Sequence, residues 1–148
     1  MSASNSPYEA FNFIVEIDGV PAAAFSDCIL PTVLIDAVEY REGFDTADNV
    51  HKLPGLVKYG YLILKRGLSS SPDSTAIWDW LNGFVQGNGA MKSITVTMLD
   101  GKRVPVFKWS FTNAWPAKYE APPLSARTSA FAIEILEVAV DSMTFSTG

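Results

Sequence analysis

The sequence predicts a mainly β protein: an antiparallel β-barrel or sandwich of about seven or eight strands, with one α-helix packed alongside and one long loop. Three observations predict it. Short apolar runs alternate with period two, as half-buried strands do. Two Asp-Gly pairs, Asp18-Gly19 and Asp100-Gly101, stand between such runs, a strong hairpin signal. Only one stretch carries apolar residues at helical spacing.

Phe11, Phe13, Val15 and Ile17 alternate along the first strand, and Asp18-Gly19 turns it toward Val20. Thr32–Tyr40 is β-branched and aromatic, hence a strand. Residues 41–56 have no clean period and contain Gly43, Pro54 and Gly55, so they read as one long loop. Loops beyond about 12–15 residues are uncommon unless functional or disordered. Lys58–Lys65 is the next strand. The helix runs from Thr75 to about Gln86, with Ser74 or Asp73 as cap and Gly87-Asn88-Gly89 as its end. Its expected packing face is Ile77, Trp78, Leu81 and Val85. Ser93–Met98 alternates Ile94, Val96 and Met98 with Ser93, Thr95 and Thr97, and Asp100-Gly101 leads to Pro105–Phe111. Trp115–Tyr119 reads as a short strand between prolines. Ala130–Val140 is a long strand with Phe131, Ile133 and Ile135 on one face and Glu134 on the other, and Met143–Phe145 extends it. No repeat or linker interrupts residues 1–148, so one domain is expected.

Composition narrows the function classes. The chain has 148 residues, a net charge of −5, 48% apolar and 18% charged residues. A basic nucleic-acid surface is disfavoured, and disorder is disfavoured by the aromatics and low charge. Residues 1–74 hold ten acidic and five basic side chains, residues 75–148 six of each, so the excess lies in the first half. The opening residues lack the basic and apolar segments of a secretory signal, and no apolar run approaches about 18 residues. Cytoplasmic synthesis without membrane insertion is expected.

Chemistry finds little footing. The single cysteine, Cys28, and single histidine, His51, exclude an internal disulfide and a two-histidine zinc site. Cys28 reads as a small hydrophobe. Glu134 and Glu137 are three apart, so a strand sends them to opposite faces, which suits no acid–base pair. Asp45, Asp48 and Asn49 lack the glycine and distal glutamate of an EF-hand loop. Gly87-Asn88-Gly89 follows a helix, whereas a phosphate loop precedes one. No catalytic, cofactor or metal residues are expected. The four tryptophans read as core or interface anchors.

Several blocks together carry a resemblance: Glu39-Tyr40-Arg41-Glu42-Gly43, His51-Lys52-Leu53-Pro54-Gly55-Leu56, Leu64-Lys65-Arg66-Gly67, Trp78-Asp79-Trp80-Leu81 and Trp109-Ser110-Phe111-Thr112-Asn113-Ala114-Trp115-Pro116-Ala117-Lys118-Tyr119. In order and spacing, from about residue 7 to 140, the chain resembles the tube proteins of contractile phage tails and phage tail-like contractile injection systems, with an Hcp-like fold. The resemblance implies a structural subunit and no enzyme. Rings of six would stack into a hollow tube inside a sheath, with baseplate and tube-terminating proteins at its ends and DNA or protein cargo in its lumen. Assembly would take place in the host cytoplasm, and the product would be a virion tail or an injection particle.

On that footing the 41–56 loop is expected to bridge rings through Arg41, Glu42, Gly43, Asp45, Asp48, Asn49, His51, Lys52, Leu53 and Pro54. A lumen must be polar and non-adhesive, so Ser93, Thr95, Thr97 and Glu134 are the candidate lumen-facing residues. The competing reading is a small-ligand-binding β-barrel. A carboxylate-based hydrolase is a third.

Overall fold

A computed structural model describes residues 12–18, 20–21, 25–41, 43, 50–68, 70, 74–127 and 131–148. Its elements are β1 (Phe13–Ile17), β2 (Val20–Pro21), β3 (Asp27–Ile29), β4 (Val33–Tyr40), β5 (His51–Tyr59), β6 (Leu62–Gly67), α1 (Ala76–Val85), β7 (Lys92–Leu99), β8 (Pro105–Glu120), β9 (Ile133–Ala139) and β10 (Ser142–Thr147). The antiparallel β architecture with one helix is the expected one. Phe11, Gly19 and Asp73 lie outside the described residues.

The 16-residue strand β8 organises the sheet. Its first half pairs with β7 on one side and β10 on the other, giving the order β2-β1-β7-β8-β10; its second half pairs with β9, continuing as β9-β6-β3. Trp115–Tyr119 is therefore the continuation of β8, not a separate short strand. The strand turns at Asn113, whose φ of 50° is left-handed. Asparagine tolerates that conformation better than β-branched residues do. Its amide donates to Asp141 Oδ2 at 3.1 Å, and Asp141 N–H donates to Thr112 O at 3.1 Å, so the β9–β10 junction bends beside it.

The bend lets the two halves face each other over one core. Val15, Ile94, Val96 and Phe111 come from the first half, Leu62, Leu64, Leu136 and Val138 from the second, and Ile77 and Trp80 from α1. Val15, Ile94 and Val96 follow the predicted alternation. Asp100 builds the β7–β8 turn: its Oδ1 accepts from Lys102 N and Val104 N at 2.8 and 2.9 Å.

Other elements also differ from the sequence reading: Met143–Phe145 lies in β10, which pairs with β8 and is a strand separate from β9. The helix buries Ile77 and Trp80, not Trp78 and Val85, which are 47% and 73% exposed; Leu81 is half-buried. Trp80 also donates Nε1–H to Ala90 O at 2.8 Å, satisfying the indole in place. The expected loop 41–56 is strand from His51 onward. β4 and β5 form a separate two-stranded sheet, an arm whose residues are exposed on both faces. Pro54 sits in β5, which among the described residues has a partner on one edge only. An unpaired edge is where a strand tolerates the missing N–H. A bulge between Ile35 and Ala37 lies opposite Gly55, where a Cβ would come within 3.0 Å of Asp36 O and Val38 Cγ2. The expected Lys58–Lys65 strand divides at Gly60, whose N–H donates to Thr32 O at 2.8 Å and ends the arm.

Candidate functional site

The first half of the sheet has an apolar inner face and an outer face of unusual uniformity. Strand register places cross-strand rows on that outer face: Glu16–Thr95–Ser110–Thr144, then Ile14–Thr97–Lys108–Ser146, then Ser93 beside Thr112–Ser142. Solvated antiparallel faces ordinarily carry many lysines and glutamates. Here the rows hold one carboxylate and one ammonium, and hydroxyls fill nearly all the rest. Thr112 and Ser142 share a hydroxyl–hydroxyl bond at 2.5 Å, and Asp18 Oδ1 accepts from Ser93 N at 2.9 Å. Such a surface hydrogen-bonds water and offers little charge or apolar area for adhesion.

Of the residues expected to face a lumen, Ser93 and Thr95 lie on this face. Thr97 shares it but is 8% exposed, between Ile14 and Lys108 in its row. Glu134 does not: it is 2% exposed, in the second half of the sheet, on the core side with Leu136 and Val138. This corrects its assignment by alternation. Arg66 lies directly across from it. Arg66 Nε and Nη2 reach Glu134 Oε1 at 2.8 and 2.7 Å, and Arg66 Nη2 donates to Ser74 O at 2.7 Å. Tyr119 donates its hydroxyl to Glu134 Oε2 at 2.6 Å. Burial, then the bond to Glu134, pushes the Tyr119 hydroxyl up to about 12. A buried pair with its oxygens this well satisfied fixes geometry: it ties β6 and β9 to the segment leading into α1.

The arm is the second surface. Leu34, Ile35, Val38, Leu53, Leu56 and Val57 are each about half exposed or more. Exposed apolar area of this extent marks an interaction surface. Arg41, Gly43, His51, Lys52, Leu53 and Pro54, expected in the bridging loop, are on the arm or beside it and exposed. The Tyr40 and His51 rings lie 5.4 Å apart, tilted by 34°. Glu42, Asp45, Asp48 and Asn49 lie outside the described residues. The sequence reading places the first strand of the arm, within Thr32–Tyr40, but reads His51–Leu56 as loop, because Pro54 and Gly55 are loop signals.

A cleft of about 650 Å³ opens between the two halves, lined by Phe13, Cys28, Leu30, Lys65, Met98 and Trp109 among others. Burial pushes the Cys28 thiol up to about 12, which keeps it unreactive. Among the described residues no group of three His, Cys, Asp or Glu side chains is placed to hold a metal, and no helix is long and apolar enough to cross a membrane.

The bent sheet, the hydroxyl face and the apolar arm describe a protein built for association. The family of the T4-like virus tail tube protein gp19 matches residues 9–144, and the chain belongs to that family of structural tube proteins. Among solved structures it is similar to a chain of the PVC extracellular contractile injection system sheath-tube complex in its extended state, with a TM-score of 0.85, 22% identity, and 97% of this chain and 94% of that one covered. It is similar to a chain of the anti-feeding prophage tube-terminating cap, with a TM-score of 0.87, 21% identity, and coverage of 100% and 96%. Hcp1 from Flavobacterium johnsoniae shares the fold more distantly, with a TM-score of 0.55, 13% identity, and coverage of 92% and 95%. At these identities the likeness speaks to the fold. No curated protein gives a significant sequence match.

Proposed function

We propose that the chain is a single-domain, non-catalytic ring subunit of the inner tube of a contractile phage tail or phage tail-like injection particle. Six copies close a ring, and rings stack into a hollow tube. The hydroxyl face of β1, β7, β8 and β10 lines the lumen, and the β4–β5 arm reaches a neighbouring ring. DNA or protein cargo passes through after sheath contraction. The partners are further copies of the chain, the sheath around the tube, and baseplate and terminating proteins at its ends. Structures whose descriptions name a sheath-tube complex, a baseplate and a cap support those partners. Assembly takes place in the host cytoplasm.

The observation that carries this reading is the near-absence of charge on a broad solvated sheet face, together with family membership. A moving polymer needs a wall that wets well and holds nothing. Negative-stain micrographs of concentrated protein are expected to show rings and hollow tubes. In a Cys28→Ser background, Thr95→Cys is expected to react with a small maleimide in both subunits and tubes. A maleimide too bulky for the lumen should react only in free subunits. Absence of rings and tubes would refute the reading, and equal bulky labelling in both states would refute the lumen assignment.

A further inference from the structure

The arm leaves the larger sheet at one end, and strand register defines the opposite end of that sheet. β3 runs toward the start of β6, with Ile29 beside Ile63 and Asp27 beside Lys65. The arm therefore leaves the sheet where β6 begins, at Leu62. At the other end of β6, Gly67 pairs with Ile133, and Leu68 N–H donates to Ala132 O at 2.8 Å. β8 reaches that same end, since Glu120 pairs with Ile135. The start of α1 is held there too. Trp78 packs edge-on against Tyr119 at 5.7 Å, and Arg66 holds Ser74. Six residues of β6 separate the two ends, about 20 Å of extended strand.

Exposed apolar side chains stand at this second end or just beyond it in sequence. Leu68 and Trp78 are 45% and 47% exposed, Leu124 86% and Phe131 92%. Phe131 stands two residues before β9, and Leu124 four residues after β8. An arm with apolar residues on both faces and an apolar end about one sheet-length away are two non-identical surfaces. Two such surfaces on one chain satisfy each other only head to tail. A head-to-tail contact that does not close repeats into a filament.

We propose that the end of the sheet marked by Leu68, Trp78 and Phe131 is the docking surface for the β4–β5 arm of a second copy of this chain in the adjoining ring. The inference rests on the tube reading and names the partner surface within it. The arm inserts its apolar residues against Trp78 and Phe131, an aromatic anchor of the kind that dominates association energies. The charged arm residues, among them the Asp36–Lys58 pair at 3.0 Å, stay in water at the rim.

The experiment uses the full chain in a Cys28→Ser background. Leu53→Cys and Val57→Cys, paired with Val38 and Ile35 and so one on each face of the arm, are each combined with Phe131→Cys. Assembled tubes are treated with a short bis-maleimide and run under denaturing conditions. A ladder of covalent multimers is expected in at least one double variant and in none of the single ones. Phe131→Glu, at a 92% exposed position, keeps the fold and the melting temperature of the free subunit. It is expected to lower the pelletable tube fraction about tenfold or more, as loss of a hot-spot contact does. If wild-type protein forms tubes, no double variant gives a ladder and Phe131→Glu assembles normally, this inference is overturned while the tube reading stands. If wild-type protein forms no tubes, the tube reading itself fails and the inference falls with it.

Discussion

Replacing Glu134 by alanine leaves the Arg66 guanidinium, 4% exposed, in the core without the carboxylate it faces. Three short contacts to Glu134 are lost: two from Arg66, at 2.7 and 2.8 Å, and one from Tyr119 at 2.6 Å. Removing one partner of a buried ion pair costs about 3–5 kcal/mol, most of it the penalty on the charge left behind. A chain of this size melts about 2–4 °C lower per kcal/mol, so the expected loss is about 6–20 °C. The same argument makes an opposite prediction for removing the whole network. The triple variant Arg66→Met/Tyr119→Phe/Glu134→Leu leaves no buried charge among the described residues and is expected within about 1 kcal/mol of wild type, because apolar replacement of a buried pair is often neutral. Thermal melts and urea titrations on dilute subunit, at several concentrations to separate assembly from folding, provide the measurement. A Glu134→Ala melting temperature within about 2 °C of wild type would refute the reasoning. So would a triple variant as unstable as the single one.

Trp80→Ala is expected to cost about 3–5 kcal/mol, since the ring is buried and its N–H bonded, and Trp78→Ala less than half of that in the free subunit; the two urea midpoints compare them directly. Tyr119 holds its proton up to about 12 when folded but only to 10.0 when unfolded. Its contribution is therefore complete below pH 10 and is lost as pH rises toward 12; melts across that window should fall more steeply for wild type than for Tyr119→Phe. Cys28, raised from 9.0 to about 12, should carry roughly a thousandfold less thiolate than in the unfolded chain, and a thiol-reactive dye at pH 8 should label it rapidly only after urea is added.

Period and turn chemistry made much of the fold legible. Alternation along Ser93–Met98 sorted Ile94 and Val96 from Ser93 and Thr95, because a sheet with one wet face must alternate. Asp18-Gly19 and Asp100-Gly101 marked two hairpins, because few residues other than Asp, Asn and Gly suit such turns. The helix was placed within a residue at each end. Its buried face was not. Apolar residues at 77, 78, 80, 81, 84 and 85 surround most of the cylinder, and only the position of β8 selects Ile77 and Trp80. Ala130–Val140 is apolar at so many positions that periodicity alone could not place Glu134. Its environment is set by Arg66, 68 residues away in sequence and adjacent across the ladder. The second strand of the arm was hidden for a related reason. A strand without a core behind it needs no burial pattern and admits Pro54 and Gly55, so local residue preferences read it as loop. Local sequence thus determined the turns, the hydroxyl-bearing strands and the helix, since these depend on neighbours within a few residues. Only the tertiary structure decided which faces are buried, how β8 bends at Asn113, and that the arm and the Trp78–Phe131 end stand at opposite ends of one sheet, because those depend on strands brought together from distant parts of the chain.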